Sequence, residues 1–130
     1  MRRLRHTRPL PSQAVLYVDL NARQTHLLTH DQLPERPAHS LRFVCLSDTH
    51  SLHDAIDPPP GDVLVHSGDL TFSSRDFAAV IESYEQWCRR QPHRVKFFTP
   101  GNHDAGCQSA GPDRMKQLMP SVVYGTGRLL

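Results

Sequence analysis

Three short apolar runs each break off at a polar turn, and one stretch of helical period lies among them. The runs are Leu41–Ser47 (LRFVCLS), Asp62–Ser67 (DVLVHS) and Arg94–Thr99 (RVKFFT). Their β-branched and aromatic residues, set between turn signals, predict buried strands. Between the second and third, Phe77, Val80, Ile81, Tyr84, Trp87 and Cys88 recur on one helical face, and Trp87 reads as core. Ser73-Ser74-Arg75-Asp76 offers a capping-box start, and Pro92, with no amide proton to donate, stops the helix. Strand, helix, strand at this spacing is a βαβ unit, which builds a parallel sheet. An α/β fold is expected, with functional groups at the carboxyl ends of the strands.

The flanks are less informative. Arg2, Arg3, Arg5 and Arg8 precede the first acid, Asp19; Ala14–Leu20 reads as an edge strand and Pro34–Pro37 as a linker. This divides the chain into a basic N-terminal segment, residues 1–40, and a main domain, residues 41–130. Past Gly106, Asp113–Met119 reads as a short helix and Ser121–Tyr124 as a short strand. The basic terminus is read as a frayed end in a cytoplasmic protein, with a mitochondrial transit segment as the alternative. Three scattered cysteines form no disulfide framework, which suits a reducing compartment. No run approaches the roughly 18 apolar residues of a membrane helix. A net charge of +2, carried by dispersed arginines without interleaved aromatics, gives no nucleic-acid partner.

The chemistry lies just beyond the strands. After the first comes Asp48-Thr49-His50, after the second Gly68-Asp69, after the third Gly101-Asn102-His103-Asp104. Parallel neighbours bring these side chains to one edge of one sheet. Carboxylates crowded together raise each other's pKa, and a divalent cation removes that cost. Asp-x-His alone arises readily by chance in a chain with nine histidines, whereas Gly-Asn-His-Asp is expected about once in two thousand such chains.

The order Asp-x-His, Gly-Asp, Gly-Asn-His-Asp resembles the calcineurin-like metallophosphoesterases. The wider run RFVCLSDTHS, GDVLVHSGDLT, GNHD looks most like their metallophosphoesterase-domain-containing branch. The resemblance covers roughly Leu41–Asp104. It implies the N-terminal part of a β-sandwich flanked by helices, with the C-terminal half absent. It also implies two divalent metal ions, Mn, Fe or Zn, since all three accept mixed N/O ligands. Asp48 and His50 would hold the first metal, Asp69 would bridge both, and Asn102 would ligate the second. His103 would act beside the leaving group, and Asp104 would orient its imidazole from behind. The implied activity is hydrolysis of phosphomonoesters or phosphodiesters by a hydroxide shared between the metals. Cyclic nucleotides are a substrate class the resemblance suggests.

The sequence also departs from that pattern. The family continues with a further ligand histidine and a late Gly-His-x-His, whereas no histidine follows His103 here. One metal or none is therefore expected in this chain. The alternative function is a catalytically incompetent fragment that binds a metal or phosphate and acts through a partner. A half-sandwich should expose an apolar face of several hundred Å2, through which a homodimer could form. Away from the constellation, His66 reads as a hydrogen-bonded core residue, while His53 and Arg75 read as solvated. Cys45 and Cys88 read as core thiols, and Cys107 as a loop thiol.

Overall fold

The computed structural model describes residues 14–126, so Arg2, Arg3, Arg5 and Arg8 lie outside the described residues. It begins with a hairpin. Strand β1 (Ala14–Asp19) pairs antiparallel with β2 (Gln24–Thr29), with Asp19 opposite Gln24. The Asp19 carboxylate closes the turn by accepting the amides of Asn21 and Ala22, both at 2.9 Å. β2 is absent from the sequence reading, because QTHLLT shows neither a clean alternation nor an apolar run.

The main sheet is built as expected. β3 (Phe43–Leu46), β4 (Val63–His66), β5 (Val95–Phe98) and the short β6 (Val123–Tyr124) lie side by side in sequence order, all parallel. A crossover between parallel strands is right-handed in nearly all proteins. When each new strand is added on the same side of the last, every crossover then falls on the same face. Helix α1 (Phe77–Arg90) joins β4 to β5, and α2 (Ala105–Leu118) joins β5 to β6. Together they bury Val44, Leu64 and Phe98 beneath Ile81, Tyr84, Trp87, Cys107 and Met115. Truncating an aromatic such as Trp87 in such a core costs roughly 3–5 kcal/mol.

Neither α1 nor α2 covers the opposite face. Phe43, Cys45, Val65, Phe97 and Val123 alternate onto it, and Phe43, Phe97 and Val123 are 58%, 40% and 50% exposed. This face is the less covered one, although Val63, in register with Phe43, is buried on it. This corrects two readings: Cys45 is an exposed thiol, and Cys107 is fully buried within α2, where burial pushes its pKa to about 12. Cys88 is a core thiol as expected.

The helices also differ in detail. A 3-10 turn over Ser74–Asp76 precedes α1, and no side-chain cap hydrogen bond forms there, so the expected capping box is not made. Gln91, in extended conformation before Pro92, ends the helix. α2 is two helical pieces broken at Gly111 (φ 78°) and Pro112, and the second piece is the expected Asp113–Met119 helix. No helix among the described residues is long and apolar enough to cross a membrane.

Three histidines are buried as neutral rings. His53, read as solvated, packs against Tyr84 and Trp87 and donates from Nε2 to Ser83 Oγ at 2.9 Å, while Ser83 donates to Asp54. His93 donates from Nε2 to the Pro59 carbonyl at 3.1 Å. Among the described residues, the Nδ1 atoms of both rings have no hydrogen-bond partner. His66 is fully buried and hydrogen-bonded, as expected. Burial lowers all three pKa values, that of His66 from the ordinary 6.5 to about 4. A depressed histidine pKa stabilises the fold fully above pH 6.5, and that contribution is lost as pH falls toward the folded value. His66 alone accounts for on the order of 3 kcal/mol across this window. Urea midpoints should therefore drop steeply from pH 6.5 to pH 4. A midpoint flat over that range would contradict the neutral assignment.

Candidate metal centre

Strand pairing does not stop where the strands end. Ser67 N–H donates to Leu46 O (2.8 Å), Asp48 N–H to Gly68 O (3.0 Å), His50 N–H to Asp69 O (3.1 Å) and Ser51 N–H to Leu70 O (2.7 Å). The first two post-strand loops thus run side by side as a continuation of the sheet. Within them Asp48, His50 and Asp69 adopt left-handed backbone, at φ 56°, 43° and 54°. Such conformations cost roughly 1–2 kcal/mol for most residues, with Asp and Asn the most tolerant. Strain of this kind survives only where its surroundings fix it.

The result is convergence. Ligand atoms of Asp48, His50 and Asp69 all lie within 4.8 Å of one another. Among the described residues, neither carboxylate is paired with a Lys or Arg. Two uncompensated carboxylates beside an imidazole are the donor set a divalent cation would take, so the residues present fit the metal the resemblance implies.

Two glycines permit the close packing. Gly68 has φ 105°, and a Cβ there would meet the Gly101 amide nitrogen and come within 2.7 Å of its Cα. A Cβ on Gly101 would run into the Asp69 carboxylate and approach the Asp69 amide to 2.6 Å. The second and third loops therefore meet backbone to backbone.

The third loop supplies His103, whose amide donates to Asp69 Oδ1 at 3.0 Å and whose ring lies edge-on to His50, centroids 5.1 Å apart. Asn102 is exposed on the same loop. Asp104 is fully buried, but its carboxylate does not orient His103 as expected. It accepts the amides of Thr71 (2.8 Å), Gly101 (2.9 Å) and Leu70 (3.3 Å), and lies 2.9 Å from the Thr71 hydroxyl. Asp104 thereby ties the third loop to the second.

The orienting groups are two backbone carbonyls that the sequence reading missed. His50 Nδ1 lies 3.2 Å from Thr71 O, and His103 Nδ1 lies 3.4 Å from Phe72 O. A carbonyl only accepts, so both rings carry their proton on Nδ1 and turn Nε2 away from the backbone. The signal for Thr71 and Phe72 was their place two and three residues after Asp69. Phe72 is 72% exposed and packs against both rings. A groove of about 650 Å3 lies elsewhere, between the hairpin and β3, lined by Leu16, Tyr17, Leu33, Phe43 and Ile56.

Comparison with known proteins points to one family. The family model for calcineurin-like phosphoesterases matches residues 25–126. Metallophosphoesterase domain-containing protein 1 of Homo sapiens, and its Mus musculus counterpart, are each 34% identical over 100 residues, 72% of this chain and 30% of theirs. A UPF0046 protein of Caenorhabditis elegans is 39% identical over 90 residues, 68% of this chain and 31% of its own length. The chain thus spans about 30% of the length of these curated relatives.

Two substitutions test the geometry without added metal. In the presence of a chelator, Asp48→Asn removes like-charge repulsion and should raise Tm by a few degrees, a gain of about 1 kcal/mol. Gly101→Ala should lower Tm by several degrees through its clash with Asp69. The opposite signs in differential scanning calorimetry would contradict the loop packing described.

Proposed function

The chain belongs to the calcineurin-like phosphoesterase family, and we propose that it is a phosphoesterase module in which Asp48, His50 and Asp69 hold a divalent cation and His103 serves the leaving group. The single observation that carries the reading is the convergence of three donors within 4.8 Å at the ends of two adjacent parallel strands. A bound Mn, Fe or Zn ion supplies Lewis acidity and positive charge for the oxygens of a phosphomonoester or phosphodiester. Everything else falls to the chain. His50, fixed through Nδ1 by the Thr71 carbonyl, offers the Nε2 lone pair as a ligand. His103, held through Nδ1 by Phe72 O, turns Nε2 away from the backbone, and when the ring carries a second proton there it can deliver that proton to the departing alkoxide and return to the neutral Nδ1–H form. Asn102 and Asp69 are the donors for a second cation, and a cyclic nucleotide is one diester class such a site would take.

The test is elemental analysis alongside hydrolysis of bis-p-nitrophenyl phosphate, with a cyclic nucleotide in parallel, in Mn2+-supplemented buffer. Asp69→Asn should lower both metal content and turnover, the latter by at least about 10²-fold. His103→Ala should lower kcat by about 10²–10⁴-fold while leaving metal content intact. Metal-dependent turnover that survives both substitutions would show that other residues do the chemistry.

A second reading has its own support, since the described residues contain one such three-donor group. On that reading the chain binds a single metal, lacks turnover and acts through a partner. Two metals per chain with hydrolysis would exclude it. Under either reading we propose that a second copy covers the open sheet face, where Phe43 and Phe97 are exposed. Sedimentation equilibrium should give a dimer that Phe97→Lys dissociates; a monomer at all concentrations would exclude pairing through this face.

A further inference from the structure

His66 lies at the end of β4, three residues before Asp69, and its ring is fully buried between Tyr84 and Phe98 at centroid distances of 5.5 and 5.6 Å. An aromatic ring would fill such a slot. A histidine there has two polar atoms to satisfy, and both are satisfied by the two loops that carry the candidate ligands. Gly68 N–H lies 3.2 Å from Nδ1, and Thr49 Oγ1 lies 2.9 Å from Nε2. The amide can only donate, so Nδ1 holds a lone pair, the proton sits on Nε2, and Nε2 donates to the threonine hydroxyl. A protonated ring would set an N–H against the Gly68 amide.

The two partners flank the ligands. Thr49 is buried between Asp48 and His50, and Gly68 directly precedes Asp69. Asp48, His50 and Asp69 all have left-handed backbone, which a free chain would relax. We propose that His66 is a positioning residue for the metal centre, a neutral imidazole that fixes the Asp48-Thr49-His50 loop and the Gly68-Asp69 loop to each other from within the core. It touches neither cation nor substrate. The inference rests on Asp48, His50 and Asp69 being the metal ligands.

The hydrogen bonds can be separated by substitution. In His66→Asn the amide oxygen stands near Nδ1 and can still accept from Gly68. In His66→Gln the amide NH2 stands near Nε2 and can still donate to Thr49. His66→Phe keeps the ring and loses both bonds. The core variant Met115→Ala, in the second piece of α2, controls for a general loss of stability.

The experiment is Mn2+ titration calorimetry on the full chain and its variants, with amide exchange at Gly68 and thermal unfolding measured on each. The wild type should bind Mn2+, and Met115→Ala should bind it equally well despite a lower Tm. His66→Phe should bind about 10–100-fold more weakly, the range found for groups that orient metal ligands. His66→Asn and His66→Gln should fall between, with Gly68 protected from exchange in Asn and unprotected in Gln. Thr49→Val should weaken binding in the wild type and in His66→Gln but add nothing to His66→Asn, which already lacks that bond. Should His66→Phe not fold, the Asn and Gln pair and the Thr49 cycle carry the same discrimination.

Wild-type affinity in His66→Phe or in both amide variants, or strict additivity of Thr49→Val with His66→Asn, overturns the proposal. Absence of Mn2+ binding by the wild type instead overturns the metal reading beneath it, and with it the positioning role.

Discussion

The handedness of the crossovers governs the molecule. Four parallel strands laid down in sequence order send both helices to one face and every strand's carboxyl end to one edge. One outcome is chemical: Asp48, His50, Asp69 and His103, separated by up to 55 positions in the chain, come together. The other is a face of Phe43, Cys45, Phe97 and Val123 that neither α1 nor α2 covers. The same geometric rule thus makes the site and leaves the fold one-sided.

Close approach at the edge depends on small backbone and rigid hydrogen bonding together. Gly68 and Gly101 let two loops touch main chain to main chain, and the buried Asp104 carboxylate joins them through the amides of Leu70, Thr71 and Gly101. A carboxylate sealed from water is costly unless its oxygens are occupied, and here three amides and a hydroxyl surround it. Asp48 and Asp69 are far less occupied: among the described residues the exposed Asp48 carboxylate accepts no hydrogen bond, and Asp69 accepts only the His103 amide. That contrast separates the structural aspartate from the two that remain available for a cation.

Much of this was legible locally. The strand runs at 41–47, 62–67 and 94–99, the α1 stripe from Phe77 to Cys88 and the Gly-Asn-His-Asp turn are patterns within a few residues of one another, and they appear where expected. What escaped depends on relations between distant parts. Cys45 is exposed and Cys107 buried because the covered face is chosen by crossover hand, which an apolar run does not encode. Gly106, Gly111 and Pro112 disguise the first piece of α2 as loop. His53 is buried because Trp87 and Tyr84 close over it from 30 or more residues away. The orienting roles of Thr71 and Phe72 are played by carbonyls, which every residue has, so side-chain identity carries no trace of them.

Those carbonyls belong to consecutive residues. One short stretch of main chain therefore steers two imidazoles, one assigned to bind and one to deliver a proton. The 5.1 Å spacing between the rings is thus set from one local frame, although the rings themselves hang from two different loops.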